Sequence, residues 1–376
     1  MAGKGSSAVW VWPAVAGPLV LLAPWLQVKA NRIVEGTNRS LVSDDPVWGA
    51  FLLAFWVLPL VLAVVGVSRR TVVRVAWAGW VFLPCLLVWA AGNVAAPLAP
   101  PGSFARIAPS WAFWVTLLGA YGGAVVLAPR TGLPRVWVSV AAWLFPLTCV
   151  LGMVVGAFSG LSLWKEYEAQ GDVFWAQVLT HLFLSGVAVA VGAILGTVMG
   201  WTAHRLVKFR QPAFFFLNLV QTLPSLALFG LLIVPLAALG FGGIGPAPAL
   251  VALSLYAAFP VARSTVTALD HLDRAVLDAG RGLGMSPGQI FFRVQVPLAL
   301  PVVLEGIRTA SVQAVGNTVV AALIGAGGLG SLVFLGLGQY APDLILLGTL
   351  PVMVLALGLD RAWALVLRRS QRRVRT

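Results

Sequence analysis

The segment DAGRGLGMSPGQIFFRVQVPLALP, from Asp278 to Pro301, stands between two strongly apolar runs of the chain. A carboxylate is followed by two small residues, Ala279 and Gly280, and after a gap of three residues by Gly284. Pro297 closes the pattern after a second, mostly apolar stretch. Charges are costly inside a bilayer. The segment is therefore predicted to lie in water, outside the apolar runs on either side.

The composition of the whole chain indicates a membrane protein. Hydrophobic residues make up 60% of it and charged residues 10%, and the mean hydropathy is +0.93. These values lie far from soluble averages, and a span needs about 20 mostly apolar residues. We predict an all-α, polytopic helical membrane protein with about ten transmembrane helices. The predicted spans lie near 8–27, 48–68, 75–97, 111–128, 136–158, 179–203, 212–237, 247–267, 302–324 and 343–367.

The polar segment closely resembles the cytoplasmic "EAA" loop of ABC-importer permeases, which docks on a separate ATPase subunit in that family. Two other stretches, Leu223–Phe229 (LPSLALF) and Ile324–Gly330 (IGAGGLG), strengthen a likeness to permeases of glycine betaine, choline and carnitine importers. The resemblance covers about residues 175–367. It implies a type I ABC-importer permease core with an EAA-like loop at 268–300. It also implies that the ATPase contact involves Asp278, Ala279, Gly280, Gly284 and Pro297.

The EAA-like loop is predicted to begin with a short helix over 268–282. Arg274 is spaced i,i+4 from both Asp270 and Asp278, which favours a helix. The small side chains after Asp278 would let a partner approach the backbone closely. An ordinary solvated loop is the alternative.

A second short helix is predicted after the first. Gly284 ends the first helix, and Ser286 followed by Pro287 is typical of an N-cap with proline at the first helical position. This second helix is predicted to run to Pro297.

Nucleotide-binding motifs are missing or misplaced in this chain. A P-loop needs Gly-Lys followed by Ser or Thr, and no Lys occurs after Lys208. Gly325-x-Gly327-x-x-Gly330 matches the dinucleotide fingerprint, but it ends an apolar run rather than linking a strand to a helix. The histidines and cysteines have no ligand spacing. We therefore expect no cofactor and no metal, and ATP hydrolysis on a partner chain.

The net charge of +13 would suggest nucleic acid in a soluble protein. Most Lys and Arg fall instead in segments that are cytoplasmic if both termini are inside, as the positive-inside rule requires. We predict a multi-pass protein of the cytoplasmic (inner) membrane. Its first span is predicted to remain uncleaved, because Val28-Lys29-Ala30 is a poor signal-peptidase site.

Two parts of different character make up the chain. All of the 16 Trp except Trp201 and Trp363 lie before residue 180, whereas the EAA-like loop and most of the cytosolic charge lie after it. We predict an N-terminal extension of about five spans at 1–172 and a permease core of about five spans at 173–376.

Small residues repeat along the sixth predicted span. Gly192, Gly196 and Gly200 share one face of that helix, and such faces let transmembrane helices approach closely. The face could pack within the chain or form a permease–permease contact.

Polar residues within the predicted core spans are candidates for the translocation path, because such residues usually face the bundle interior or a cavity. Plain helix–helix hydrogen bonds are the alternative. Pro224 is predicted to kink the seventh span beside three of them, and the glycines near 325 to break the ninth. The candidates are Gln221, Thr222, Ser225, Gln313, Asn317, Gly325 and Gly327.

Three classes of function compete. An ion-coupled secondary transporter commonly has carboxylates in mid-span, but Glu305, Asp343 and Asp360 lie near predicted span ends. A membrane enzyme would need clustered catalytic groups, which the sequence does not show. The favoured class is a non-enzymatic ABC permease with an ATP-binding subunit, a substrate-binding protein and a second permease, identical or homologous. The resemblance implies quaternary ammonium substrates, and an amino acid is the alternative.

Overall fold

The computed structural model describes residues 22–31, 34–40, 45–100 and 102–375. The chain divides into two compact units, Met1–Ala169 and Gln170–Thr376. Most of the first predicted span, 8–27, lies outside the described residues. Its last residues belong to a strand, Pro24–Lys29, so the prediction of a helix ending at Gln27 is wrong there.

The first unit combines helices with a small antiparallel sheet. The strands are β1 Pro24–Lys29, β2 Thr37–Ser40 and β3 Arg106–Pro109, in the order β2-β1-β3. The helices are α1 Pro46–Val64, α2 Arg69–Leu98, α3 Trp111–Leu127, α4 Arg135–Ala141 and α5 Leu144–Val154. Asp45 caps α1 by accepting from the backbone N–H of Val47, as short acidic side chains do at an N-cap.

The core of this unit lies between the sheet and helices α1 to α3. Trp25, Leu26 and Ile107 of the sheet are buried there with Leu52 of α1. Sequence analysis missed the sheet, because its central strand follows directly on a long apolar run and has no alternating pattern.

The second unit contains the remaining helices. Helix α6, Ser162–Arg205, begins in the first unit and is broken at Gly171, whose φ is +46°. It is followed by α7 Val207–Thr222, α8 Ser225–Ala238, α9 Pro246–Asp270, α10 Arg274–Gly282, α11 Pro287–Ile290, α12 Val296–Ala321, α13 Gly330–Gly338 and α14 Pro342–Arg375. The buried side chains of this unit surround α9, which packs along α12.

The helical membrane architecture is confirmed. Among the described residues, 8 helices are long and apolar enough to cross a membrane, or 9 if the bent pair α7 and α8 forms one span. These helices lie at the second to tenth predicted positions. Two predicted spans are interrupted. The fifth is divided between α4 and α5, and the seventh bends by 111° between α7 and α8.

The glycine face of α6 packs against α9 within the chain. A Cβ added at Gly192 would lie 2.5 Å from the Cβ of Ala257, and one at Gly196 would lie 2.5 Å from the carbonyl oxygen of Ala258. One at Gly200 would lie 2.6 Å from the carbonyl oxygen of Ala262, one turn further along α9. Because the three glycines have no side chain, this face of α6 lies directly against α9.

Candidate functional site

The EAA-like loop is an ordered helical hairpin. Asp273 caps α10 by accepting from the N–H of Ala275 at 2.9 Å. Past the end of α10, Gly284 has a φ of +75° and Met285 donates to the carbonyl of Gly280 at 3.1 Å. A left-handed glycine after a helix satisfies its last carbonyls. The predicted glycine turn is confirmed.

The second helix of the loop begins with a capping box. The N–H of Gln289 donates to Ser286 Oγ at 3.3 Å, and the N–H of Ser286 donates to Gln289 Oε1 at 2.8 Å. The predicted N-cap at Ser286 and first-turn proline at Pro287 are therefore confirmed.

The predicted end of this second helix at Pro297 is wrong. The chain continues from α11 through a π-helical turn, Phe291–Gln295, into α12. Pro297 lies in the first turn of α12. A proline is tolerated in the first turn of a helix, so Pro297 does not end this one.

The predicted start of the first loop helix at residue 268 is also wrong. Helix α9 runs on to Asp270, and α10 begins only at Arg274. Asp270 does not pair with Arg274 but accepts from Arg210 Nη1 at 2.8 Å. An ion pair with α7 therefore holds the end of α9.

The outer surface of α10 presents three charged side chains, and apolar groups are exposed beside them. Asp278 and Ala279 are exposed. Asp278 accepts from Arg281 Nη1 at 2.8 Å, so its predicted pairing four residues away is wrong. The side chain of Leu283 is 83% exposed and that of Phe292 is 71% exposed. Exposed apolar residues beside a charge are suited to contact with another protein.

Gly280 faces inward, contrary to the prediction that it opens the backbone to a partner. It is buried, and a Cβ there would lie 3.5 Å from Met285 Sδ and 3.6 Å from Ile290 Cγ1. Its small size lets α10 pack on α11.

The bend between α7 and α8 brings three polar side chains together. Tyr256 of α9 donates its hydroxyl to the carbonyl of Leu223 at 2.7 Å, beside Pro224. Gln221 donates to the carbonyl of Tyr256 at 2.8 Å and accepts from Gln313 Nε2 of α12 at 3.3 Å. The bend is therefore tied to both α9 and α12.

The other candidates near the bend differ in their surroundings. Thr222 donates to the carbonyl of Leu219 at 2.8 Å, which satisfies it within its own helix. Ser225 is the half-buried first residue of α8. Asn317 is half-buried, and its side chain forms no hydrogen bond with any residue that the structure describes.

The glycine-rich turn after α12 packs on α6. Gly325, Gly327 and Gly328 have φ values of +77°, +80° and +85°. A Cβ on Gly327 would lie 3.3 Å from Thr180 Cγ2, and one on Gly328 would lie 3.3 Å from His181 Nδ1. Both the backbone conformation and the close approach favour glycine here.

Comparison with known proteins identifies the family. Residues 192–372 match the family model described as "Binding-protein-dependent transport system inner membrane component". The chain is 38% identical over 189 residues to the glycine betaine/carnitine/choline transport system permease protein OpuCB of Bacillus subtilis, covering 50% of this chain and 84% of the relative. The chain belongs to this family of ABC-importer permeases. Such a permease is a multi-pass membrane subunit, not itself catalytic, which works with ATPase and substrate-binding partners.

Further similarities cover both parts of the permease. It is 42% identical over 180 residues to the osmoprotectant import permease protein OsmW of Salmonella typhimurium, covering 48% of this chain and 83% of the relative. Residues 6–164 match the model of the N-terminal domain of the ABC transporter permease YehY. A solved structure of the MetNI methionine ABC transporter aligns with a TM-score of 0.46 and 20% identity, covering 53% of this chain and 99% of that chain.

Sequence reasoning missed several polar contacts of the permease core. Arg308 of α12 donates to Asp360 of α14 at 2.8 Å and to Glu305 at 3.4 Å, so these two carboxylates near predicted span ends share one guanidinium. Tyr256 and His181 lie in apolar runs with no local signal of a role. His181 is fully buried, with Nε2 3.0 Å from the carbonyl of Val315.

Metal ligands do not cluster in the described part of the permease. No group of three or more His, Cys, Asp or Glu side chains there could hold a metal ion. Cys85 and Cys149 are both free thiols.

Proposed function

We propose that this permease is the transmembrane subunit of an ABC importer for quaternary ammonium osmoprotectants: glycine betaine, choline or carnitine. The observation that carries the proposal is the identity of 38% with a permease named for glycine betaine, carnitine and choline and of 42% with one named for osmoprotectants, each across more than four-fifths of its length. The alternative substrate, an amino acid, has no comparable support among these relatives.

The EAA-like loop is the part that contacts the ATP-binding subunit. Asp278, Ala279 and Leu283 form the exposed surface of α10 and its end, where a partner can reach them. Gly280 and Gly284 act differently, since they shape the hairpin instead of touching the partner. ATP hydrolysis occurs on the separate subunit, and Pro297 with the preceding π turn links the loop to α12.

The translocation path runs along the inner faces of α7, α9 and α12. Gln221 and Gln313 form a hydrogen bond at the bend. Asn317 lies one turn further along α12, and its side-chain amide has no hydrogen-bond partner among the described residues. A polar group inside a membrane protein that lacks an internal partner is suited to a water-filled path. Gly325 and Gly327 form a gate at the other end of the core from the EAA-like loop.

The importer also contains a substrate-binding protein and a second permease, identical or homologous. The permease lies in the cytoplasmic membrane with both termini in the cytoplasm, as its basic residues require. Residues 1–172 form an extension that is separate from the transport core of residues 173–376.

Reconstitution tests the proposal. Proteoliposomes would contain the permease with its ATP-binding subunit, and the substrate-binding protein of the same importer would be added. Uptake of radiolabelled glycine betaine, choline and carnitine would be compared with uptake of an amino acid mixture. ATP-dependent uptake of at least one quaternary ammonium compound is expected. Uptake of amino acids alone, or uptake that persists without ATP, would contradict the proposal.

A further inference from the structure

A cavity opens between α7 and α9 at the end of the core that carries the EAA-like loop. Its volume is about 850 Å³, within the range of small-molecule sites. Three phenylalanines and two arginines dominate its walls. Those that matter here are Arg210, Phe214, Phe215 and Asn218 of α7, with Phe259 and Arg263 of α9.

The two arginines of this cavity differ in how their charges are matched. Arg210 Nη1 lies 2.8 Å from Asp270 Oδ2, and the other oxygen of that carboxylate lies 2.7 Å from His204 Nδ1. Arg263 forms no ion pair with any residue in the described part of the chain. It lies seven residues before the end of α9, which is about 10 Å along the helix.

The side chain of Arg263 is exposed, so its guanidinium can meet a ligand that enters the cavity, and ionisable residues within spans usually mark substrate or ion pathways. No carboxylate is among the residues that line the cavity. The cavity therefore favours a ligand that supplies a negative charge.

The aromatic wall favours a second feature in the same ligand. Phe214 and Phe259 are half-buried and Phe215 is exposed, so ring surface from all three borders one space. Aromatic faces attract quaternary ammonium groups through cation–π interaction. A cation with no anionic group, such as choline, would gain this attraction but leave Arg263 unmatched and be repelled by it.

We propose that this cavity is a binding site within the permease for zwitterionic betaines. Arg263 binds the carboxylate, and the phenylalanine rings bind the quaternary ammonium group. Asn218 lies one turn before Gln221 on α7, so the cavity leads towards the polar cluster at the bend. The inference rests on the proposed function and deepens it, because it selects carboxylate-bearing substrates such as glycine betaine and carnitine over choline.

Equilibrium binding to the permease–ATPase complex in nanodiscs, without the substrate-binding protein, tests the inference. Radiolabelled glycine betaine is expected to bind at least about tenfold more tightly than choline, the equivalent of one charge-assisted hydrogen bond. Arg263→Gln should remove that preference, and Arg263→Lys should retain part of it. Arg361→Gln, an exposed arginine of α14 outside the cavity, is the matched control and should bind as the unaltered complex does.

Two results would overturn the inference: equal affinity for choline and glycine betaine, or undiminished glycine betaine binding by Arg263→Gln. An anionic lipid in the cavity would also overturn it. In that case the Arg263→Gln complex would retain less phosphatidylglycerol than the unaltered complex. The unaltered complex would also fail to bind glycine betaine in nanodiscs made of phosphatidylcholine alone. The proposed function fails separately, if the complete importer takes up no quaternary ammonium compound.

Discussion

Replacing Gly196 by alanine tests whether α6 and α9 depend on close backbone approach. The new Cβ would lie 2.5 Å from the carbonyl oxygen of Ala258, whereas an unstrained carbon–oxygen contact is about 3.3–3.6 Å. The helices must therefore separate by roughly 1 Å or distort. Overpacking of this kind costs about 1–3 kcal/mol of the free energy of unfolding.

Gly186→Ala provides the matched control on the same helix. A Cβ at Gly186 meets nothing within 4 Å. Both substitutions gain the same helix propensity, about 1 kcal/mol, so the difference between the two variants isolates the contact with Ala258.

The assay is the midpoint of thermal unfolding of the purified permease in detergent. One kcal/mol corresponds to roughly 2–4 °C for a unit of this size. Gly196→Ala is therefore expected to melt roughly 2–12 °C below Gly186→Ala. Equal melting midpoints would refute the reasoning, because they would show that α6 does not bear on α9 at this position.

Three further predictions concern the path, the gate and the topology. Tyr256→Phe removes the hydroxyl that donates to the carbonyl of Leu223, which should lower the free energy of unfolding by about 0.6–1.7 kcal/mol. It should slow uptake while the ATPase still co-purifies, and loss of co-purification would contradict a local effect. Gly327→Val places a β-branched residue at a φ of +80° and should also slow uptake, so transport at the wild-type rate would rule out the gate assignment. Reporter fusions after Asp172 should read outside, and those after Arg210 and at the C-terminus inside; an outside C-terminus would overturn the orientation.

Local signals in the sequence predicted much of this permease. Long apolar runs predicted the second to tenth membrane helices at about the right positions, because a span must satisfy its backbone internally. Gly284, Ser286 and Pro287 correctly predicted the turn and the start of the second helix of the EAA-like loop, since turn and cap chemistry depends on adjacent residues.

Contacts between segments that are distant along the chain could not be predicted from the sequence. Pro224 predicted a kink, but neither the angle of 111° nor the hydrogen bond from Tyr256 of another helix to Leu223 has a local signal. The pairing of Gln313 with Gln221 joins residues 92 positions apart. The sequence predicted a pair between Asp270 and Arg274, but Asp270 accepts from Arg210, which lies 60 residues earlier. A helical spacing permits a pair, but tertiary packing selects the partner.

The central claim is that the EAA-like loop joins this permease to its ATPase, and co-purification of the two subunits tests it most directly. Leu283→Glu places a charge on the most exposed apolar side chain of the loop, which is 83% accessible. Leu239→Glu is the control, since Leu239 is 70% exposed beyond α8, at the opposite end of the core. The ATP-binding subunit should co-purify with the unaltered permease and with Leu239→Glu but be largely lost from Leu283→Glu. Full retention of the subunit by Leu283→Glu, with undiminished uptake, would contradict the account.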